Sequence, residues 1–184
     1  PEDGVAEIAV GLGKYIVDGG LALRFSPRHP DKVLQTSTLD LALRDTQTQL
    51  YALDLKDVEG GFKVDDGFNI KKIRVQDAAK NGSLRYMVST FDPYDQVIRD
   101  SEYGNGRRVV TFANVLQHKV FPLAEIVDFM LSEGEKEMRR PVEIEFAGCI
   151  DKHGETKGNV YWLQIRPIVD RKEMLDEKIM HTSD

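Results

Sequence analysis

Apolar and polar positions fall into short alternating runs along most of this chain, and the clearest helical period follows Pro122. Leu123, Ile126, Val127, Met130 and Leu131 lie at i, i+3, i+4, i+7 and i+8, one apolar stripe suited to core packing. The charged continuation from Glu133 to Arg140 carries that helix to Pro141, which stops it. Beyond the proline the period changes to two. Glu143-Ile144-Glu145-Phe146 and Gln164-Ile165-Arg166-Pro167 read as strands, and the polar segment between them, Asp151 to Asn159 with two glycines, is a hairpin signal centred near Gly154.

The rest of the chain is read more coarsely. Val5, Ile8 and Ala9 have helix-like spacing within Glu2 to Val10, a stretch too short to decide. Gly11 to Gly20 is a glycine-bounded turn with a short helix through Tyr15-Ile16-Val17. Leu21 to Phe25 is a strand, ended by the two prolines of Ser26 to Pro30. Gln49 to Leu55 alternates as a half-buried strand, and Gly61 to Val64 leads into the turn Asp65-Asp66-Gly67. Ile70 to Ala79 mixes both periods and is read as helix. Tyr86 to Phe91 and Gln96 to Arg99 read as strands, and Gly104-Asn105-Gly106 turns the chain into a run through Phe112. Arg171 to Met180 reads as a charged, partly amphipathic linker helix. The expectation is an α+β chain, mostly antiparallel sheet backed by helices. Its parts are a glycine segment and strand (1–30), a β-rich middle (31–119), the helix and hairpin (120–170) and a linker (171–184).

Side chains two apart on a strand share a face, so one strand offers Glu143 and Glu145 together and the other Gln164 and Arg166. A hairpin centred near Gly154 sets Glu145 opposite Gln164 and Glu143 opposite Arg166. Directly opposite residues have Cβ atoms about 4.5–5.5 Å apart, close enough for four polar groups to share one ligand in a common cavity. Carboxylates suit magnesium and an arginine fork suits phosphate oxygens, so the strands can floor a metal-bound nucleoside triphosphate. On pattern alone the plainer reading leads: a solvated face of an antiparallel sheet with an ordinary cross-strand ion pair. Elsewhere, Gly13-Lys14 lacks the earlier glycine and the following Ser or Thr of a phosphate-binding loop, since Ile8 and Tyr15 hold those places. The acidic pairs Asp65-Asp66 and Asp92-x-x-Asp95 read as turn residues rather than a calcium loop.

Composition narrows the class. The 184 residues are 41% hydrophobic and 30% charged, as in a globular domain with a real core. A net charge of −6 without a Lys/Arg stripe argues against nucleic acid; Arg107-Arg108 and Arg139-Arg140 read as surface charge. The single cysteine, Cys149, precludes an internal disulfide, fits a reducing cytoplasmic setting, and is expected to pack as a small hydrophobe in its strand. No apolar run approaches a membrane span, and none opens the chain as a signal sequence. The start at Pro1-Glu2-Asp3-Gly4 leads us to expect an excised piece of something longer.

Pro141-Val-Glu-Ile-Glu-Phe-Ala followed by Val160-Tyr-Trp-Leu-Gln-Ile-Arg-Pro resembles the end of the ATP-binding domain of phosphoenolpyruvate synthases and pyruvate, phosphate dikinases. There an acidic "(Asp/Glu)-Ile-Glu" strand precedes a "Leu-x-Gln-x-Arg-Pro" strand. Gly11-Leu12-Gly13-Lys14-Tyr15-Ile16-Val17-Asp18-Gly19 is similar to the family's "Gly-Leu-Gly-Glu-x-Val-Val-x-Gly", with Lys14 where the family has Glu. With the helix before Pro141, the resemblance covers about a third of the chain. It implies a partial ATP-grasp fold; residues 31–119, which the resemblance does not reach, are read as a β-rich insertion in it. It implies ATP and Mg2+ as cofactors, with Glu143 and Glu145 at the metal and Gln164 and Glu145 beside the nucleotide. Gly11, Gly13 and Lys14 would line the nucleotide site, and Arg166 would bind phosphate and stabilise charge in phosphoryl transfer. It also implies that a basic lobe, a phosphohistidine domain and a pyruvate site belong to the parent protein, so that this piece would be inactive alone. None of His29, His118, His153 or His181 sits in the phosphocarrier's motif. The alternatives are a related dikinase with another acceptor and a degenerate nucleotide-binding or interaction module.

Overall fold

A computed structural model describes residues 3–55, 69–151 and 158–169. These residues form an α+β fold of four small antiparallel sheets. In chain order come β1 (Ala6–Ile8), α1 (Lys14–Val17), β2 (Leu23–Phe25), α2 (Leu39–Arg44), β3 (Gln49–Leu53), β4 (Ile70–Arg74), α3 (Val75–Ala78), β5 (Val88–Asp92), β6 (Val97–Arg99), β7 (Arg107–Val110), α4 (Ala113–Leu116), α5 (Leu123–Met138), β8 (Val142–Ile150) and β9 (Gly158–Pro167). β1 pairs with β2, β3 with β4, β5 with both β6 and β7, and β8 with β9. Among the described residues no helix is long and apolar enough to cross a membrane.

The undecided opening is a strand: Ala6 and Ile8 are buried while Glu7 faces out toward Arg24 of β2. Its alternation continues in β2, where Leu23 and Phe25 are buried on either side of Arg24. The run from Ile70 to Ala79, read as helix, is instead two elements, the strand β4 and then one turn of helix, α3. Ile70 and Ile73, three apart, suggested a helical face, yet β4 pairs along β3 and puts them on opposite faces. Ile73 lies across from buried Leu50, and Ile70 across from exposed Leu53. Helix begins only at Val75, which is 1% exposed. The short helix α2 was not anticipated. Its signal is Thr38, whose hydroxyl caps the amide of Leu41, with Asp40 in the first turn. The turn Asp65-Asp66-Gly67, the hairpin tip around Gly154 and the linker helix lie outside the described residues.

One apolar core runs through residues 6 to 127, from Ile8 and Leu23 through Leu50, Val88 and Val110 to Leu116 and Val127, with Phe146, Ile150 and Val160 packed against it. The stretch 31–119 thus shares the core of the rest. Within it, the Asp92 carboxylate accepts the amides of Tyr94 and Asp95, which makes that acidic pair a turn. The helix after Pro122 forms as its stripe predicts, burying Leu123, Ala124, Val127 and Met130. It ends with Arg139 in the left-handed region, before Pro141 bars another turn.

The last buried position of α5 is Gly134, where the hairpin β8–β9 lies against the helix. A Cβ on Gly134 would stand 2.8 Å from Ile165 Cδ1, 3.0 Å from Val142 Cγ2 and 3.5 Å from Ile144 Cδ1. Absence of a side chain therefore sets how closely the ribbon approaches. Gly134→Val should destabilise the fold by about 1–3 kcal/mol through overpacking, read as a lower urea midpoint at unchanged m-value. An unaltered midpoint would mean the contact is not tight.

Candidate functional site

The two strands of the C-terminal ribbon pair in the register the sequence predicts, with Glu143 opposite Arg166 and Glu145 opposite Gln164. The apolar neighbours decide this. Val142 is buried, Ile144 and Ile165 are half-buried, and all three meet at Gly134. Strict alternation then turns Glu143, Glu145, Gln164 and Arg166 to the opposite, outward face.

On that face the Arg166 guanidinium grips Glu143 with both arms, Nε donating to Oε2 at 3.1 Å and Nη2 to Oε1 at 3.0 Å. Nη2 also lies 3.9 Å from Glu145 Oε1, so the one cation spans both carboxylates. The side chains are about half exposed: 55% for Glu143, 52% for Glu145 and 53% for Arg166. Arg166 holds the Glu143 carboxyl below the ordinary range, against a smaller opposing effect of burial. Glu143 reciprocally raises Arg166.

A bulge follows these pairs. Glu145 faces Gln164 but Phe146 faces Trp162, which leaves Leu163 as the extra residue. Strict alternation along β9 would put Trp162 on the face of Gln164; the bulge puts it across from Phe146 instead, and Val160 reaches the core. Beyond the bulge the outward face carries Ala147 opposite Tyr161 and Cys149 opposite Asn159. Cys149 is exposed, not packed as expected, because its side of the ribbon has no layer over it among the described residues. For the same reason the four polar groups share an open face rather than the expected cavity. A groove of about 370 Å³ lies elsewhere, where Val5, Glu7, Arg24, Lys32 and Leu34 meet.

The glycine segment is seated on β3, not on the ribbon. Leu12 donates its amide to the Tyr51 carbonyl, and buried Gln47 holds the amide and carbonyl of Val10. Gly11 is obligatory: its φ is +91°, and a Cβ there would sit 2.6 Å from the Tyr51 carbonyl oxygen. Gly13 caps α1, and space beside it is open. The amides of Tyr15, Ile16 and Val17 are already given to the carbonyls of Leu12 and Gly13. The Lys14 ammonium pairs with Asp18 at 3.1 Å, and that contact is the main cause that holds the Asp18 carboxyl below its ordinary range. No hydrogen bond or ion pair joins Lys14 to Glu143, Glu145, Gln164 or Arg166. Sequence reasoning missed Gln47 and Tyr51, whose roles depend on contacts some 37 residues apart in the case of Val10 and Gln47.

A second polar chain runs through the β5–β7 sheet. Fully buried Ser89 bonds Thr111 at 2.5 Å and Asp100 at 3.0 Å, and the other Asp100 oxygen meets His118 at 2.9 Å. The carboxylate sits between hydroxyl and imidazole, so His118 reaches Ser89 only through Asp100. This chain is a clamp.

The ribbon's donors are hard oxygens, two carboxylates and the Gln164 amide. Among the described residues no three or more His, Cys, Asp or Glu side chains gather as a metal cage. Magnesium is commonly held by one or two carboxylates together with substrate phosphates, so the Glu143–Glu145 pair fits a shared metal. No protein-family model, curated protein or solved structure matches the chain.

Glu143 titrates low because of Arg166, so the pairing is fully present above the ordinary glutamate value of about 4.3 and is lost as pH falls through the lower folded value. Arg166→Gln should raise the Glu143 pKa toward that ordinary value while the fold persists, followed by carboxyl-carbon NMR titration. An unmoved Glu143 pKa would contradict the pairing.

Proposed function

We propose that this chain carries the metal–phosphate floor of an ATP-dependent phosphotransferase resembling phosphoenolpyruvate synthases and pyruvate, phosphate dikinases. One observation carries the reading: the register of β8 and β9 turns Glu143, Glu145, Gln164 and Arg166 to one accessible face. In the proposed reaction ATP is split through a phosphohistidine to AMP: one phosphoryl group passes by way of the histidine to pyruvate, which becomes phosphoenolpyruvate, and the other passes to water or to inorganic phosphate.

The chain's residues take complementary parts. Glu143 and Glu145 supply oxygens for Mg2+, which when bound neutralises phosphate charge and aligns the polyphosphate. Gln164 offers an amide to the metal or the phosphates. Arg166 presents charged donors to the transferring group, where negative charge spreads as bonds loosen. Gly11, Gly13 and Lys14 are proposed at the edge of the nucleotide, a weaker part because their contacts run to β3 and Asp18. The basic lobe, phosphohistidine domain and pyruvate site are proposed to belong to the whole protein, and the compartment to be the cytoplasm.

A second reading, a non-catalytic binding module, draws on the exposed Tyr161 and Leu163 beside the polar groups and on the self-contained Lys14–Asp18 pair. The whole protein separates the two readings. With Mg2+ and ATP it should release AMP, and Arg166→Ala should abolish phosphoenzyme formation while the circular dichroism spectrum is retained. Unchanged turnover in Arg166→Ala removes Arg166 from the mechanism; absence of AMP release from the unaltered protein favours the binding module. The 184-residue chain alone should bind Mg·ATP weakly or not at all, and micromolar affinity by calorimetry would contradict the need for a further lobe.

A further inference from the structure

We propose that Arg166 is a built-in competitor for the divalent cation: its guanidinium spans the two carboxylates the ion uses, and cation binding frees it for phosphate. This rests on the nucleotide reading above and adds to it an order of events. Both oxygens of Glu143 are engaged by Arg166, at 3.0 and 3.1 Å, and the same Nη2 reaches within 3.9 Å of Glu145. A metal taking an oxygen from each glutamate must share or displace those contacts.

The exchange is physically easy. The pair is about half exposed on both sides, and exposed ion pairs are individually weak. Carboxylate oxygens suit a hard divalent cation, whereas the guanidinium fork matches phosphate equally well. Charge sets the order. Two carboxylates and one guanidinium leave a single net negative charge on the face, which disfavours a polyphosphate arriving without its cation. Once a divalent ion holds the glutamates, the local sign reverses and Arg166 keeps its donors for phosphate. Arg166 therefore opposes the bare cation yet favours the cation–nucleotide complex.

Opposite signs make this testable on the 184-residue chain, with Mn2+ as probe and free ion counted by electron paramagnetic resonance at low salt. Arg166→Gln should bind Mn2+ about three- to tenfold more tightly than the unaltered chain. That is the scale expected when one charge about 6–12 Å from a divalent ion, within the retreat of a displaced arginine side chain, is removed in high dielectric. Glu143→Gln combined with Glu145→Gln should lose the binding. In the unaltered chain, Mg2+ should move the Arg166 Nε resonance toward its position in Glu143→Gln. Equal or weaker Mn2+ binding by Arg166→Gln, with binding still dependent on the glutamates, overturns the competition and leaves the metal site standing. Mn2+ binding indifferent to both glutamates overturns the competition and the nucleotide reading together, and binding absent from both chains overturns the competition.

Discussion

The seating of the β8–β9 ribbon on α5 is the constraint from which the chemistry of this chain follows. A two-stranded hairpin is marginal by itself in water, so it needs a partner surface. Here that surface is the helix at Gly134, where Val142, Ile144 and Ile165 converge. Further along, Phe146, Ile150 and Val160 reach the main core. With those side chains inward, the pleat leaves Glu143, Glu145, Gln164 and Arg166 no other direction than outward. A slip of one residue would bury the charges and expose the isoleucines, so apolar packing protects a polar register.

Openness is the second property that matters. Arg166 and Glu143 meet with good bidentate geometry but remain half solvated, so their pair is a removable arrangement rather than a structural pillar. In the proposed function this exposed face would gather ion and phosphate, while phosphoryl transfer benefits from exclusion of water. Under the proposed reading a further lobe closes over the ribbon, and the exposed Tyr161, Leu163 and Cys149 lie where such a cover would extend.

Legibility in the sequence followed the range of the interactions. The ribbon was readable because alternation and a central turn are local, and the register at Glu143 and Glu145 matched. The helix after Pro122 was readable from its stripe and its bounding prolines. Ile70 to Ala79 misled because a strand and a helical turn meet at Arg74, and two isoleucines three apart mimic a helical face. The bulge at Leu163 had no such sign, since nothing in Tyr161-Trp162-Leu163 marks which residue is extra. Cys149 was misplaced because composition cannot say whether a strand has one covered face or two. For the glycine segment, Gly11 was legible as punctuation, but its seat under Tyr51 and Gln47 depends on residues distant in sequence.

The most direct test is to locate the nucleotide. Isotope-labelled chain with millimolar Mn·ATP reports even weak binding through paramagnetic broadening of nearby NMR signals. The account predicts that the Gln164 side-chain amide, Arg166 Nε–H and the backbone amides of Glu143 to Glu145 broaden first. Broadening centred on the groove near Arg24 and Leu34, with the ribbon signals left sharp, would contradict it.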